Sequence, residues 1–396
     1  MNIGLLTYHW VPNFGANLQA LSTYSYIENS GNTPIVLNWI PKDLEADYKK
    51  KVLDEQIKAH KEFAQSNFKN ITSVCRTSED VARAIDEFKI DTVIIGSDAV
   101  FTMVPFLRRF HLSKRTLLKY EKPFQDSRFP NPYWGDFMDF VTRPVKVVGL
   151  SVSAQNTYFK SIIEDKKEMR DSLSRFSYLS VRDIWTQKMV SFLTDKKDVP
   201  TITPDPVFAF EQNVHYKGYK NEVYSSFGNY VLLSLTPPNY NEKWILELEA
   251  LFNSEGIKLI GLPQTNKSFR SPLKDNLTFP IDPLDWYQLI KNSQGYIGEL
   301  MHPVLVSLHN STPVFVFDKY GFSYGGLFDE SSSKTYQIMN RFNLLDNYYN
   351  AKQIAKLPKP EYVFDRIVQF DRENCKNTAN TLLKKYNEMM TNIISL

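Results

Sequence analysis

Cysteine is scarce in this sequence: only Cys75 and Cys375 occur among 396 residues, and they form no CxxC motif or Cys/His cluster. We therefore expect free thiols in a reducing compartment, with no disulfide and no structural zinc. Long apolar runs are also missing, since no stretch reaches the roughly 18 apolar residues of a membrane span. The N-terminal MNIGLLTYHW lacks the basic region and apolar core of a signal peptide. These absences predict a cytoplasmic protein.

A strong excess of charge is absent too. The 47 Lys and Arg residues nearly balance the 44 Asp and Glu residues, for a net charge of +3. Such a balance produces no global field for nucleic acid, so we expect no nucleic-acid partner. Aromatic residues, in contrast, make up 14% of the chain, with 22 Tyr and 27 Phe. That content suits a protein that contacts sugar rings, although aromatic rings are also ordinary core material.

The length exceeds the usual size of one hydrophobic core, so two domains are expected. Apolar strands alternate with helical patterns along the whole chain, which predicts parallel sheets. In the first part we predict a helix at 17–30 and strands at 3–8, 33–40, 92–95, 146–152, 178–181 and 201–203. In the second part we predict strands at 230–235, 258–261, 295–298 and 314–317, with helices at 242–253, 284–291 and 303–309.

The predicted fold class is α/β with two Rossmann-like domains. Polar residues break the pattern at 212–228, so we place an N-terminal domain at 1–220 and a C-terminal domain at 221–350. A last helical stretch at about 361–393 lies in the remaining segment, 351–396, and is expected to pack back across both domains.

Three segments place small or polar residues where a predicted strand ends, which is where open α/β sheets bind ligands. Residues 12–18 form a turn before a helix, whose N-terminal N–H groups can hold a phosphate or carboxylate. A plain turn with Asn17 as N-cap explains them equally well. Gly96-Ser97-Asp98 either binds the hydroxyl groups of an acceptor substrate or caps the next helix.

The third segment, Gly298 to Pro303, carries His302 at the start of a helix. The helix dipole lowers the pKa of a histidine there, so His302 can be neutral near pH 7 and act as a base; a structural role is the alternative. Arg182 closes another strand in an apolar context. It either pairs with a carboxylate of the protein or holds an anionic ligand.

These elements resemble one family when they are taken in order along the chain. The motifs are Asn13-x-Gly15-Ala16-x-Leu18, Gly96-Ser97-Asp98, Ser180-Val181-Arg182-Asp183, Asp205-Pro206 and His302, and together they resemble the polysaccharide pyruvyl transferases from residue 3 to about 345. The resemblance implies a glycosyltransferase-B-like fold with the site in the cleft between the two domains. It also implies phosphoenolpyruvate as the donor substrate and a pyruvate ketal on a sugar as the product.

The resemblance assigns Arg182 and His302 to the donor site as catalytic residues. One feature departs from the family, because Leu300 stands where many members have an arginine or serine two residues before the histidine. Lys334 is the best-placed substitute by sequence, and Arg270 is a weaker one; a Ser-rich helix start with a solvated lysine is the alternative. The predicted donor-binding set is Arg182, His302, Met301, Ser333 and Lys334, and the predicted acceptor-binding set is Asn13, Gly15, Asn17, Ser97 and Asp98.

The chemistry requires no cofactor or metal, although an Asp98 or Asp205 contact to Mg²⁺ stays open. The acceptor implied by the resemblance is a cell-surface or capsular polysaccharide precursor, linked to a polyprenyl diphosphate. Residues 106–122 are basic and amphipathic, which favours contact with the inner face of the cytoplasmic membrane; an ordinary solvated helix is the alternative.

Two other functions fit the same sequence. A nucleotide-sugar-dependent glycosyltransferase would use the same architecture. A catalytically silent glycan-binding relative would account for Leu300.

Overall fold

The structure is a computed structural model that describes residues 1–111, 119–155, 157–236, 241–265, 271–324, 327–354 and 356–396. Its first half contains the strands β1 (Asn2–Leu6), β2 (Thr33–Val36), β3 (Thr92–Asp98), β4 (Phe110–His111), β5 (Lys119–Tyr120), β6 (Lys146–Val152), β7 (Tyr178–Val181) and β8 (Thr201–Ile202). Six of them form a parallel sheet in the order β2-β1-β3-β6-β7-β8. The winding direction reverses between β1 and β3, and such a switch point opens a crevice at the strand ends.

The second half contains the strands β9 (Tyr230–Ser234), β10 (Lys258–Gly261), β11 (Asp275–Asn276), β12 (Gly295–Gly298), β13 (Val314–Asp318), β14 (Phe322–Tyr324), β15 (Leu327–Asp329) and β16 (Tyr348–Asn350). Six of them form a second parallel sheet, ordered β11-β10-β9-β12-β13-β16. Counted along the chain this is the Rossmann order 3-2-1-4-5-6, with its switch point between β9 and β12. The predicted fold class, two Rossmann-like α/β halves of the glycosyltransferase-B type, is confirmed.

Helices cover both faces of the two sheets, which is why the central strands are apolar along most of their length. Val93, Ile94 and Ile95 of β3, for example, are completely buried. The helices are α1 (Phe14–Asn29), α2 (Lys42–Lys51), α3 (Asp54–Asn67), α4 (Ser78–Glu87), α5 (Lys166–Leu173), α6 (Ile184–Leu193), α7 (Phe210–Asn213), α8 (Glu242–Ser254), α9 (Pro283–Lys291), α10 (Met301–His309), α11 (Lys334–Arg341), α12 (Pro360–Val368) and α13 (Arg372–Ile394). No helix among the described residues combines the length and apolar composition that crossing a membrane requires.

The two halves contact each other through α1, α3 and α9. Phe14 at the start of α1 stacks on Trp286 of α9, with ring centroids 4.8 Å apart and an interplanar angle of 7°. Gln56 of α3 exchanges two hydrogen bonds with the backbone of Ile281, at 2.9 and 2.7 Å. These contacts fix the N-terminus of α1 against the second half.

The C-terminal helix α13 contacts elements of both sheets. At its start, Arg372 donates to the carbonyl of Ser311 at 3.1 Å, and near its end the Met389 sulfur accepts from the hydroxyl of Ser151 at 3.6 Å. The domain boundaries at 220/221 and 350/351 stay a prediction.

Several predicted element bounds were wrong in detail. The first helix begins at Phe14, and Asn13 rather than Asn17 is its N-cap, accepting from the Ala16 N–H at 3.2 Å. The stretch 361–393 is two helices, because Asp371 caps a new helix start by accepting from the Asn374 N–H. The short strands β4, β5, β11, β14, β15 and β16 were not predicted.

Candidate functional site

Both switch points open into the same cleft. The ends of β1 and β3 lead to Asn13 and Asp98, and the ends of β9 and β12 lead to Ser234 and Glu299. All four residues line one cavity of about 200 Å³, which we call the central cavity. The ligand-binding edges of the two sheets therefore face each other across this space.

A smaller cavity of about 40 Å³ adjoins the central one, and Met301 and Lys334 line both. We call it the cationic cavity, because its wall contains three basic residues, Arg182, Lys334 and Arg341, against two acidic ones, Asp183 and Asp205. His302 lines the central cavity and Arg182 the cationic cavity, so the two predicted catalytic residues lie on neighbouring parts of the cleft.

His302 packs directly against Gly15 of the opposite half. A Cβ atom added to Gly15 would lie 1.9 Å from the imidazole Cγ of His302, so only glycine permits this approach. The Nε2 atom of His302 is buried and has no hydrogen-bond partner among the described residues. The imidazole thus keeps one ring nitrogen available to a ligand.

The pKa of His302 is lowered from its ordinary value of 6.5, chiefly by burial. The positive charges of Arg182 and Lys334 lower it further, and Asp205 and Asp98 act in the opposite direction. The expected neutral imidazole is therefore present at pH 7. The helix dipole, which we expected to be the cause, is not the main one.

Arg182 both pairs with carboxylates and keeps donors free. Its side chain is 6% exposed, its Nη1 donates to the Oδ2 of Asp205 at 2.6 Å, and its Nη2 lies 3.8 Å from the Oδ1 of Asp98. Burial lowers the pKa of Arg182, but the two carboxylates outweigh it and hold the pKa above its ordinary value. Its Nε and Nη2 atoms are buried without a hydrogen-bond partner in the described part of the chain.

Lys334 is not the solvated lysine of the alternative interpretation. Burial, with help from the charge of Arg182, lowers its pKa from 10.5 to about 8. Its neighbour Ser333, a predicted donor ligand, has a structural role instead: its hydroxyl donates to Asp318 at 2.5 Å and accepts from the Tyr336 N–H as the N-cap of α11. Met301 lines both cavities, and its donor-binding role stays a prediction. Leu300 is the N-cap residue of α10 without any side-chain cap.

The predicted acceptor residues separate into two groups. Asn13, Gly15 and Asp98 line the central cavity. Asn17 and Ser97 do not, which corrects their predicted role: both are completely or almost completely buried. The Asn17 amide donates to the His9 carbonyl at 2.9 Å and its oxygen bonds to His60, while the Ser97 hydroxyl donates to the Ser151 carbonyl at 2.9 Å.

Two further predictions fall partly or wholly outside the described residues. Arg270 lies outside them, as do residues 112–118 of the basic segment. On either side of that gap β4 and β5 pair antiparallel, so the chain reverses and 106–122 is not one continuous helix. The described ranges also contain no cluster of three His, Cys, Asp or Glu side chains that could hold a metal ion.

Sequence reasoning missed Gln155, which lines the central cavity close to Asp98. Both residues have positive φ values, 51° for Gln155 and 93° for Asp98. Backbone strain of this kind gathers at functional sites. The position of Gln155 just after β6 is the signal that could have identified it.

Fold and cleft define a glycosyltransferase-B-like protein whose interior keeps cationic and imidazole nitrogens open to a ligand. Residues 13–318 match the family model "Polysaccharide pyruvyl transferase". The chain belongs to the polysaccharide pyruvyl transferase family. No curated protein sequence matches it significantly.

Solved structures with similar folds are distant in sequence. A UDP-N-acetylglucosamine 2-epimerase described as putative, from Listeria monocytogenes, is 11% identical, with 96% of this chain and 94% of that chain covered and a TM-score of 0.48. The UDP-GlcNAc 2-epimerase of Neisseria meningitidis is 8% identical, with coverage of 98% and 100% and a TM-score of 0.47. The heptosyltransferase WaaC of E. coli is 9% identical, with coverage of 94% and 100% and a TM-score of 0.43.

Proposed function

We propose that this protein transfers the pyruvyl group of phosphoenolpyruvate to a sugar of a cell-surface or capsular polysaccharide precursor, forming a pyruvate ketal. The observation that carries the proposal is the set of buried nitrogens without partners: Nε and Nη2 of Arg182 and Nε2 of His302. Buried polar groups are normally hydrogen-bonded, because leaving one unpaired costs about 1–3 kcal/mol. A small anionic ligand would pair with the two Arg182 nitrogens, and a hydroxyl group of a second substrate would donate to the Nε2 of His302.

Phosphoenolpyruvate matches these groups in charge. Its tetrahedral phosphate and its planar carboxylate each present a pair of oxygens, which a guanidinium can hold through two parallel hydrogen bonds. Lys334, with a pKa of about 8, is mostly protonated at pH 7 and adds a second positive charge. We infer that Arg182 and Lys334 bind the donor beside Met301, where the two cavities meet.

The reaction then needs proton transfer at two points. A sugar hydroxyl adds to C2 of phosphoenolpyruvate while C3 gains a proton and becomes a methyl group. The C2–O bond to phosphate breaks, and the neighbouring hydroxyl attacks the resulting oxocarbenium carbon to close the ketal. Two hydroxyl protons are released in total, of which one balances the C3 proton and the other leaves with inorganic phosphate.

We assign the proton transfer to His302. Because burial lowers its pKa, the imidazole is neutral at pH 7 and can accept the proton of the attacking hydroxyl. The imidazolium so formed can deliver a proton to C3. Asp205 and Asp98 would stabilise this transient charge, since both carboxylates raise the pKa of His302.

The acceptor is proposed to be linked to a polyprenyl diphosphate at the inner face of the cytoplasmic membrane. The described part of the segment 106–122 supports peripheral membrane contact. Phe106, Leu107 and Tyr120 are exposed there, Leu107 by 62%, beside Arg108 and Arg109. Flotation with anionic vesicles, compared between the protein and a Leu107→Ser variant, tests this part alone.

The donor assignment is tested by calorimetric titration with phosphoenolpyruvate, UDP-sugars and GDP-sugars. We expect binding of phosphoenolpyruvate only, and its loss in Arg182→Ala. Arg175→Ala is the matched control, because Arg175 is a surface arginine that pairs only with Asp139 in the described structure. Binding of nucleotide sugars alone would identify a glycosyltransferase instead.

Turnover is tested by mass spectrometry of an acceptor glycan incubated with phosphoenolpyruvate. The expected result is one added pyruvyl ketal and release of inorganic phosphate. Glycan binding with no phosphate release from any acceptor would indicate a catalytically silent relative.

A further inference from the structure

A third cavity, of about 190 Å³, opens beside the central one within the first half of the molecule. Asn13, Asp98 and Gln155 line both cavities, so the two spaces adjoin. We call it the acidic cavity, because Asp98 and Asp126 are its charged residues within the described chain. Its volume is sufficient for one sugar ring, and it adjoins the central cavity that His302 lines.

Asp126 is the defining residue of this cavity. It is only 6% exposed, and its carboxylate accepts from the Tyr8 hydroxyl at 2.6 Å and from the Ser127 hydroxyl at 3.2 Å. Burial raises the pKa of Asp126 from its ordinary 3.8, and the hydrogen bonds from Tyr8 and Ser127 act in the opposite direction. In the ionised form the carboxylate has about four acceptor positions, so these two bonds leave acceptor capacity for further donors. The Asn131 side chain donates to the Asp126 backbone carbonyl at 3.1 Å and holds the residue in place.

The remaining wall suits a polyol rather than an anion. Gln155 and Thr102 provide an amide and a hydroxyl, and the Thr102 hydroxyl lies 3.5 Å from the Gln155 oxygen. Tyr48 adds an aromatic ring with a polar tip, which matches the mixed apolar and polar surface of a sugar. No lysine, arginine or histidine lines the cavity among the residues that the structure describes.

The cleft is therefore divided by charge. The cationic cavity has three basic and two acidic residues in its wall, whereas the acidic cavity has two acidic residues and no basic one among the described residues. The first therefore favours anions, and the second disfavours them and accepts hydroxyl donors. We propose that the acidic cavity is the acceptor subsite and that Asp126 selects an uncharged sugar ring over a uronic acid. This inference rests on the proposed function. Asp126 is a specificity-determining residue in this scheme and takes no part in proton transfer.

The test measures binding of p-nitrophenyl glycosides by ligand-observed NMR in the presence of phosphoenolpyruvate. The panel pairs the glucoside with the glucuronide and the galactoside with the galacturonide, so that each pair differs only by a carboxylate. For the unmodified protein we expect at least about tenfold tighter binding of a neutral member, a preference in the range that like-charge repulsion and one charged hydrogen bond supply. Tighter binding of a uronide, or no binding of any glycoside, overturns the inference.

Asp126→Asn keeps the shape and removes the charge. It should weaken binding of the neutral sugar by about tenfold and reduce the preference over the uronide by a similar factor. Asp139→Asn is the control, because Asp139 is a half-exposed carboxylate that pairs with Arg175 on the surface. Tyr8→Phe is a second variant at the site: it frees one Asp126 oxygen without removing the carboxylate, so the preference for neutral sugars should persist.

Titration of the same variants with phosphoenolpyruvate separates this inference from the proposed function. Binding of phosphoenolpyruvate with an unchanged sugar preference in Asp126→Asn overturns the acceptor subsite and leaves the donor assignment standing. No binding of phosphoenolpyruvate to the unmodified protein would instead remove the proposed function itself.

Discussion

The buried position of Lys334 lowers the free energy of unfolding, and we expect the same position to serve the binding of phosphoenolpyruvate. Its pKa of about 8 lies roughly 2.5 units below the ordinary 10.5, because burial and the charge of Arg182 disfavour the ammonium. A pKa difference of one corresponds to about 1.4 kcal/mol, so burial of the ammonium costs at most about 3.5 kcal/mol. Lys334 lines two cavities, and solvent that enters them would reduce this cost. We expect Lys334→Met to raise the free energy of unfolding by about 1–2 kcal/mol at pH 7.

The difference in stability between Lys334→Met and the unmodified protein should change with pH in a defined direction. Between pH 8 and 10.5 the unfolded state holds the Lys334 proton and the folded state does not. The free energy of unfolding of the unmodified protein therefore rises between pH 8 and 10.5 relative to that of the variant. The advantage of Lys334→Met should be complete below about pH 8 and should disappear as the pH approaches 10.5.

Urea unfolding from pH 6 to 10 measures the difference, with the exposed Lys385→Met as control. Phosphoenolpyruvate should reverse the order, because a ligand at 100 times its Kd stabilises its binding partner by about 2.7 kcal/mol and the variant should lose that gain. A Lys334→Met protein that is less stable than the control at pH 7, or whose advantage does not depend on pH, would refute the reasoning.

Three further predictions concern the contacts around the central cavity. Gly15→Ala should lower kcat by about 100-fold while the protein still folds. The added Cβ would displace the His302 ring, and a displacement of about 1 Å in an active site lowers the rate by about that factor. Steady-state kinetics measures the loss of rate, and thermal unfolding shows whether the variant is folded. His302→Gln should lower kcat by about 100- to 10,000-fold while phosphoenolpyruvate still binds, as measured by phosphate release and calorimetry. Asp205→Asn should destabilise the fold by about 3–5 kcal/mol in urea, since it leaves the buried Arg182 charge with only the 3.8 Å contact to Asp98; an effect below 1 kcal/mol would contradict it.

The alternation of apolar strands and helices was enough to predict parallel sheets in two domains, because parallel strands buried on both faces are mostly apolar. The glycosyltransferase-B-like arrangement came from the resemblance to the family. The same pattern located the strand ends, and so His302 and Asp98. It could not tell which side chains point into the cleft. Ser97 and Asp98 are adjacent in β3, yet successive side chains of a strand point to opposite faces, and only Asp98 reaches the cavity.

Contacts that form only through tertiary structure could not be predicted from the sequence. Asp126 lies in a 3₁₀ turn without any motif, and Tyr8, which donates to it, is 118 positions away. Ser333 failed for a different reason. A serine before a helix is equally consistent with an N-cap and with a phosphate ligand, and only the bond to Asp318 decides between them.

The course of α13 limits how the two halves can move. The chain passes from one half to the other twice, first between β8 and β9 and again along this helix, whose beginning contacts Ser311 and whose end contacts Ser151. A single connection would let the halves twist and slide freely, whereas two separate connections restrict them mainly to bending about the line that joins the crossings. Opening of the cleft to admit a donor or an acceptor should therefore follow mainly one hinge axis. Cutting the chain before residue 372 would remove one of the two covalent connections between the halves.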